Sequence, residues 1–175
     1  MRLIALLMTA TMLFAGCTED KPREPDPTTK PSPTPTVPSM PAEANEKTVG
    51  GAAAFVKHYI ALLNYSSDTG DVAALSGATD AACEGCHAYV SLYKSTYANG
   101  GYFRDPGWSV ARIDPEIDNK RLLVFVSVNA PGGTFKEKSG SPVQESRDEK
   151  YNLILTPTLH DGQWKVSRFV REAGK

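Results

Sequence analysis

The sequence predicts an α+β fold: N-terminal helices packed into a curved antiparallel sheet of about four strands. Three observations carry this. Apolar residues recur at helical spacing between Gly50 and Asn99. After Trp108 the period falls to two. Near the C-terminus an Asp161-Gly162 pair separates two β-rich runs, a strong hairpin signal. Helices first and a hairpin-linked sheet afterwards is the α+β order.

The first helix is read in "GGAAAFVKHYIALLNYSSDTGD", where Phe55, Val56, Tyr59, Ile60, Leu62 and Leu63 form one wide apolar face. The turn residues of "SSDTGD" end it. Asp71 to Leu75 is expected to be a short second helix capped by Asp71 and stopping before Gly77. A third should start near Cys83 and run to Asn99-Gly100-Gly101, with Cys86, Tyr89, Val90, Tyr93 and Tyr97 along one side. "WSVARI" and "RLLVFVSVNA" then read as strands. In the second, both alternating sets are fairly apolar, which predicts a central strand covered on each face. "KYNLILTPTL" and "QWKVSRFVRE" are the hairpin around Asp161-Gly162.

Upstream of this domain the composition changes. Met1-Arg2 and the apolar run Leu3–Ala15 have the form of a secretory signal, too short for a stable bilayer span of about 20 residues. "LFAGC" resembles the lipobox of bacterial lipoproteins, with Phe14 where leucine is usual, so residues 1–16 are expected to be cleaved and Cys17 diacylated. Two acyl chains suffice for stable anchoring, which predicts a cell-membrane lipoprotein on the extracytoplasmic face. Eight of the 13 prolines fall between Pro22 and Pro41, without an aromatic residue among them. Residues 17–47 are therefore expected to be a disordered, semi-rigid tether, leaving one domain over residues 48–175. Its length of about 130 residues suits a single core.

The stretch "CEGCH" allows a staple, a redox pair, a haem attachment point or a zinc site. With Cys17 acylated, Cys83 and Cys86 remain as a pair in an oxidising compartment, where a structural disulfide is the favoured reading. A redox pair would want a preceding strand, haem would want an axial ligand and helical pocket, and zinc would want a fourth ligand.

Taken together, "AAAFVKHYIALLNYSSDTGD", "CEGC", "YANGG" and "LHDGQWKVSRF" resemble an actinobacterial lipoprotein family of unknown function, whose domain is similar to the cone-shaped nuclear transport factor 2 superfamily. The resemblance implies a cone whose interior either holds a ligand or is filled by its own side chains. Enzymes of that superfamily put an Asp, His or Tyr inside the cone, which makes His58, Tyr59, Asp80, His87, Trp108 and Tyr151 the residues to weigh. His58 falls off the apolar stripe and is expected in solvent. Tyr59 sits in the stripe, where core packing competes with a pocket role. Tyr89, Tyr93 and Tyr97 share one helical face, as packing or as an aromatic wall. The expected pocket is Tyr59, Tyr89, Tyr93, Trp108 and Tyr151.

A net charge of −1 with no basic stripe argues against nucleic acid. There is no paired carboxylate at useful spacing, no trusted Ser-His-Asp order and no phosphate-binding glycine loop. Asp114, Glu116 and Asp118 alternate but lack the glycine and terminal glutamate of a calcium loop. No metal or cofactor is expected. The sequence thus favours a non-catalytic domain for a small molecule or a cell-envelope protein, with a second copy docking on the sheet as a further candidate partner. An isomerase- or dehydratase-type enzyme is the alternative.

Overall fold

In the computed structural model, residues 35–172 are described; the signal segment, Cys17 and the tether up to residue 34 lie outside them. A 3₁₀ turn, Ala42–Asn45, is followed by α1 (Val49–Thr69), α2 (Ala73–Gly77) and α3 (Glu84–Ala98). Seven strands come next: β1 (Tyr102–Arg104), β2 (Ser109–Asp118), β3 (Arg121–Ala130), β4 (Thr134–Lys136), β5 (Gln144–Glu145), β6 (Glu149–His160) and β7 (Gln163–Arg171). The main sheet has the order β2-β3-β6-β7, antiparallel throughout.

α1 begins where Thr48 accepts the Gly51 amide on its hydroxyl (3.0 Å). It ends at Gly70, whose φ of 77° is left-handed. A side chain there would also run into the Tyr97 ring, 2.4 Å from the position of a Cβ. Phe55, Val56, Tyr59, Ile60 and Leu63 are all at most 2 % exposed. They pack on the inner face of the sheet, where Val124, Val126, Leu153, Leu155 and Val166 are equally buried. Burying each such side chain contributes about 1.5–3 kcal/mol.

The turns follow the chemistry of their residues. Asp161 and Gly162 both have positive φ (50° and 82°) between the paired His160 and Gln163, the two-residue hairpin expected of Asp-Gly. Asn119 and Lys120 (φ 48° and 65°) make the same kind of turn between β2 and β3.

Four sequence expectations are corrected. The packed region starts before Thr48. Pro35 and Thr36 share a groove with Asn64 and Tyr65, Pro38 and Met40 lie by His58 and Leu62, and Glu46 reaches Gly51, so this strap runs antiparallel to α1. Ala44 is 2 % exposed, and the Trp164 indole N–H donates to the Glu46 carbonyl (2.9 Å). The same strap explains His58, expected in solvent but buried, with its pKa lowered by desolvation. α2 is displaced to Ala73–Gly77, because Asp71 caps from further out, its carboxylate accepting the Ala73 amide (3.0 Å). Finally, β3 is central but covered on one face only: Val124, Val126 and Val128 are buried, while Leu123, Phe125 and Ser127 stay half-exposed. Phe125 gains its apolar cover from Ile154, its cross-strand partner.

A second sheet was not foreseen. β1, β4 and β5 form a three-stranded sheet of very short strands, with Phe103 opposite Phe135.

Deleting residues up to Lys47 removes the Trp164 hydrogen bond, the buried Ala44 and the cover over His58. The chain beginning at Thr48 is expected to lose about 2 kcal/mol of stability relative to one beginning at Pro35. Urea midpoints of the two chains check this.

Candidate functional site

Between α3, the inner end of the main sheet and the small sheet lies a cleft of about 470 Å³. Its walls are rings. Tyr89 and Tyr93 come from the inner side of α3, Trp108 from the residue just before β2, Tyr151 from β6, and Phe103 and Phe135 from the small sheet. The rings form a connected series. Tyr89 meets Phe169 (centroids 5.1 Å) and Trp108 (5.8 Å) edge-on, and Trp108 in turn meets Tyr151 (5.4 Å). On the other side Tyr89 contacts Tyr93 (6.1 Å), Tyr93 meets Phe103 edge-on (5.5 Å), and Phe103 stacks on Phe135 (6.2 Å). Edge-to-face pairs at these distances contribute about 0.5–1.5 kcal/mol each beyond area burial.

Each ring is positioned by a local device. Trp108 is held by its backbone: its amide donates to Asn64 Oδ1 and its carbonyl accepts from Asn64 Nδ2, both at 2.8 Å. α3 is set against α1 by Tyr97, whose hydroxyl donates to the Ser67 and Asp68 carbonyls (2.7 Å each) at the end of α1. At its other end α3 starts at the Cys83–Cys86 disulfide, both half-cystines being at most 1 % exposed. Gly85 lets this end approach β7 closely, since a Cβ there would lie 2.2 Å from the Phe169 carbonyl oxygen. The disulfide is the staple favoured from the sequence, and its burial keeps it from exchange partners.

Of the expected pocket residues, Tyr89, Tyr93, Trp108 and Tyr151 line this cleft, whereas Tyr59 does not. Tyr59 is wholly buried on the core face of α1, its hydroxyl paired with that of Thr79 (2.9 Å). Its place on the apolar stripe made it core. Sequence reasoning missed Asn64, Phe103, Phe135, Glu149 and Arg171. Asn64 acts through its contact with the Trp108 backbone, which no local signal shows; Phe103, Phe135 and Arg171 depend on the small sheet and on strand register, while the two-residue spacing of Glu149 and Tyr151 on one strand was there to be read. Asp80 pairs with His160 (2.7 Å) away from the cleft, and His87 is exposed. Asp114 and Asp118 are engaged by Arg112 and Arg121. Among the described residues no group of three or more His, Cys, Asp or Glu could hold a metal ion.

The cleft's mouth carries charge of both signs, with Arg147 and Arg171 against Asp105, Glu145 and Glu149, all exposed. Arg171 lies over the face of Tyr151 (4.8 Å to the centroid), and the Tyr151 hydroxyl donates to Glu149. Burial and then Glu149 push the Tyr151 phenol up to about 12. Burial also raises Tyr89 and Tyr93, and pushes Tyr59 up to about 12. The cleft's phenols are therefore neutral at physiological pH and can donate or accept hydrogen bonds.

These raised values make stability depend on pH at the alkaline end. An unfolded tyrosine releases its proton near pH 10, while the native one holds it. Stability is then complete below pH 10 and falls as pH rises towards 12. Unfolding free energies measured from pH 8 to 12 should show this fall, and Tyr59→Phe should make it shallower. Tyr59→Phe should itself cost about 1 kcal/mol at neutral pH.

No curated protein matches this chain. Among solved structures, the intermembrane space region of chloroplast protein ARC6 is 12% identical with a TM-score of 0.51, covering 74% of this chain and 99% of that one. This likeness concerns the fold alone. A putative polyketide cyclase from Pseudomonas putida KT2440 also matches, at 15% identity and a TM-score of 0.39, over 70% of this chain and 91% of that one. A family model matches residues 24–169, most of the tether and nearly all of the folded domain, and the chain belongs to that family, the family of unknown function DUF6318.

Proposed function

We propose that this protein is a membrane-tethered, extracytoplasmic binding domain whose aromatic cleft takes a small ligand with an apolar or aromatic body. The cleft carries the reading. At about 470 Å³ it falls within the range of small-molecule sites, and it combines a wall of aromatic rings with a strongly polar, charged rim that could fix a ligand's orientation. Its inner groups are neutral hydroxyls and its carboxylates sit exposed at the rim, which favours capture over proton abstraction. The tethering half of the proposal rests on the lipobox-like "LFAGC" and the proline-rich stretch after it. Among the described residues no helix is long and apolar enough to cross a membrane.

N-phenyl-1-naphthylamine, a neutral dye that brightens in apolar surroundings, should bind one per chain. Tyr89→Ala or Trp108→Ala should weaken it about tenfold, while Ile117→Ala, at an exposed position remote from the cleft, should not. Absence of saturable binding would mean that the rings serve only to pack, and would favour docking onto an envelope protein instead.

In cells, Cys17→Ser should move the protein from the membrane fraction to the soluble or secreted fraction. Retention of the variant on membranes would exclude lipid on Cys17 as the anchor.

A further inference from the structure

We propose that the cleft's ligand is zwitterionic: an ammonium and a carboxylate on one apolar or aromatic body, the chemistry of a hydrophobic amino acid. The inference rests on the cleft being a binding site and goes further by assigning its rim. Two opposite charges are fixed on one ring. Arg171 is stacked on the face of Tyr151, and Glu149 is held by that residue's hydroxyl. Solvated surface charges seldom keep a fixed geometry, but these two are positioned by the ring between them. The ion pairs among the described residues are Arg112–Asp114, Arg121–Asp118 and His160–Asp80, none of them at the mouth. Arg171 thus keeps its forked donors for a carboxylate, and Glu149 keeps acceptor capacity for an ammonium.

The remaining charges narrow the class. Asp105, Glu145 and Glu149 outnumber Arg147 and Arg171, so a simple anion would meet a rim with excess negative charge. A simple cation would have two guanidiniums facing it. A ligand carrying both signs satisfies the rim, and its body is left to the Tyr89–Trp108 wall. The Tyr89 side chain lines the cleft, where its hydroxyl can meet the bound group.

The test is calorimetric titration of the full-length chain with tryptophan, N-acetyltryptophan, tryptophanamide and neutral 3-methylindole. Tryptophan should bind tightest, with each blocked form at least about tenfold weaker, or about 1.4 kcal/mol. Arg171→Gln should make tryptophan and tryptophanamide equal. Glu149→Gln should do the same for tryptophan and N-acetyltryptophan. In the unmodified chain, raising salt should weaken tryptophan but not 3-methylindole, a readout independent of the variants' folding. If 3-methylindole binds as tightly as tryptophan, or if N-phenyl-1-naphthylamine binds and none of the four indoles does, the zwitterion assignment is overturned and the cleft survives as an apolar site. If neither the indoles nor the dye bind, the cleft reading itself falls.

Discussion

The burial of α1 in the main sheet is the constraint on which the remaining structure depends. One face of this 21-residue helix supplies Phe55, Val56, Tyr59, Ile60 and Leu63, and β3, β6 and β7 supply the surface that receives them. A four-stranded sheet can dry only one side of such a helix. The strap over residues 35–46 covers a second side, around His58 and Leu62, and α3 lies by its C-terminal end through Tyr97. What is left over is the space beyond the end of α1, between α3 and the small sheet.

The elements easiest to read were those with a single strong local cause. The apolar stripe of α1, the Cys83–Cys86 staple and the Asp161-Gly162 hairpin need no partner to be recognised. Four of the cleft's rings were visible for a related reason, since aromatic residues on a helix face and at strand starts must be buried or used. Elements that depend on remote contacts were not visible. The strap looks like any proline-rich spacer until Trp164, 118 positions away, donates to Glu46. The small sheet is built from strands of two or three residues whose pairing is set by tertiary position. Arg171 reaches Tyr151 only through the register of β6 and β7, whereas Glu149 stands two residues before it on β6 itself.

The Tyr59 and Tyr151 phenols show how the same residue type divides between roles. Both ionise only near pH 12, and burial is the first cause in each. Tyr59 spends its hydroxyl on Thr79 inside the core, so it contributes to folding and is closed to any ligand. Tyr151 spends its own on a carboxylate at an open rim and offers its face to a cation. Aromaticity alone could not separate them; the positions of their hydroxyls do.

The short parallel bridge between Thr79 and Val166 has a consequence for solubility. The Val166 amide donates to Ala78 and its carbonyl accepts from Asp80, so the loop just before the disulfide occupies the outer edge of β7. At the opposite edge, β2 carries a register shift after Val110, a proline at 115, and Arg112, Asp114 and Glu116 directed to the half-exposed face. Bulges, proline and charge make an edge a poor template for a foreign strand. The two sides are thus guarded by different means, one by its own composition and the other by a plug. If the plug lifts, the Val166 amide and carbonyl lose their partners and that edge opens to a foreign strand.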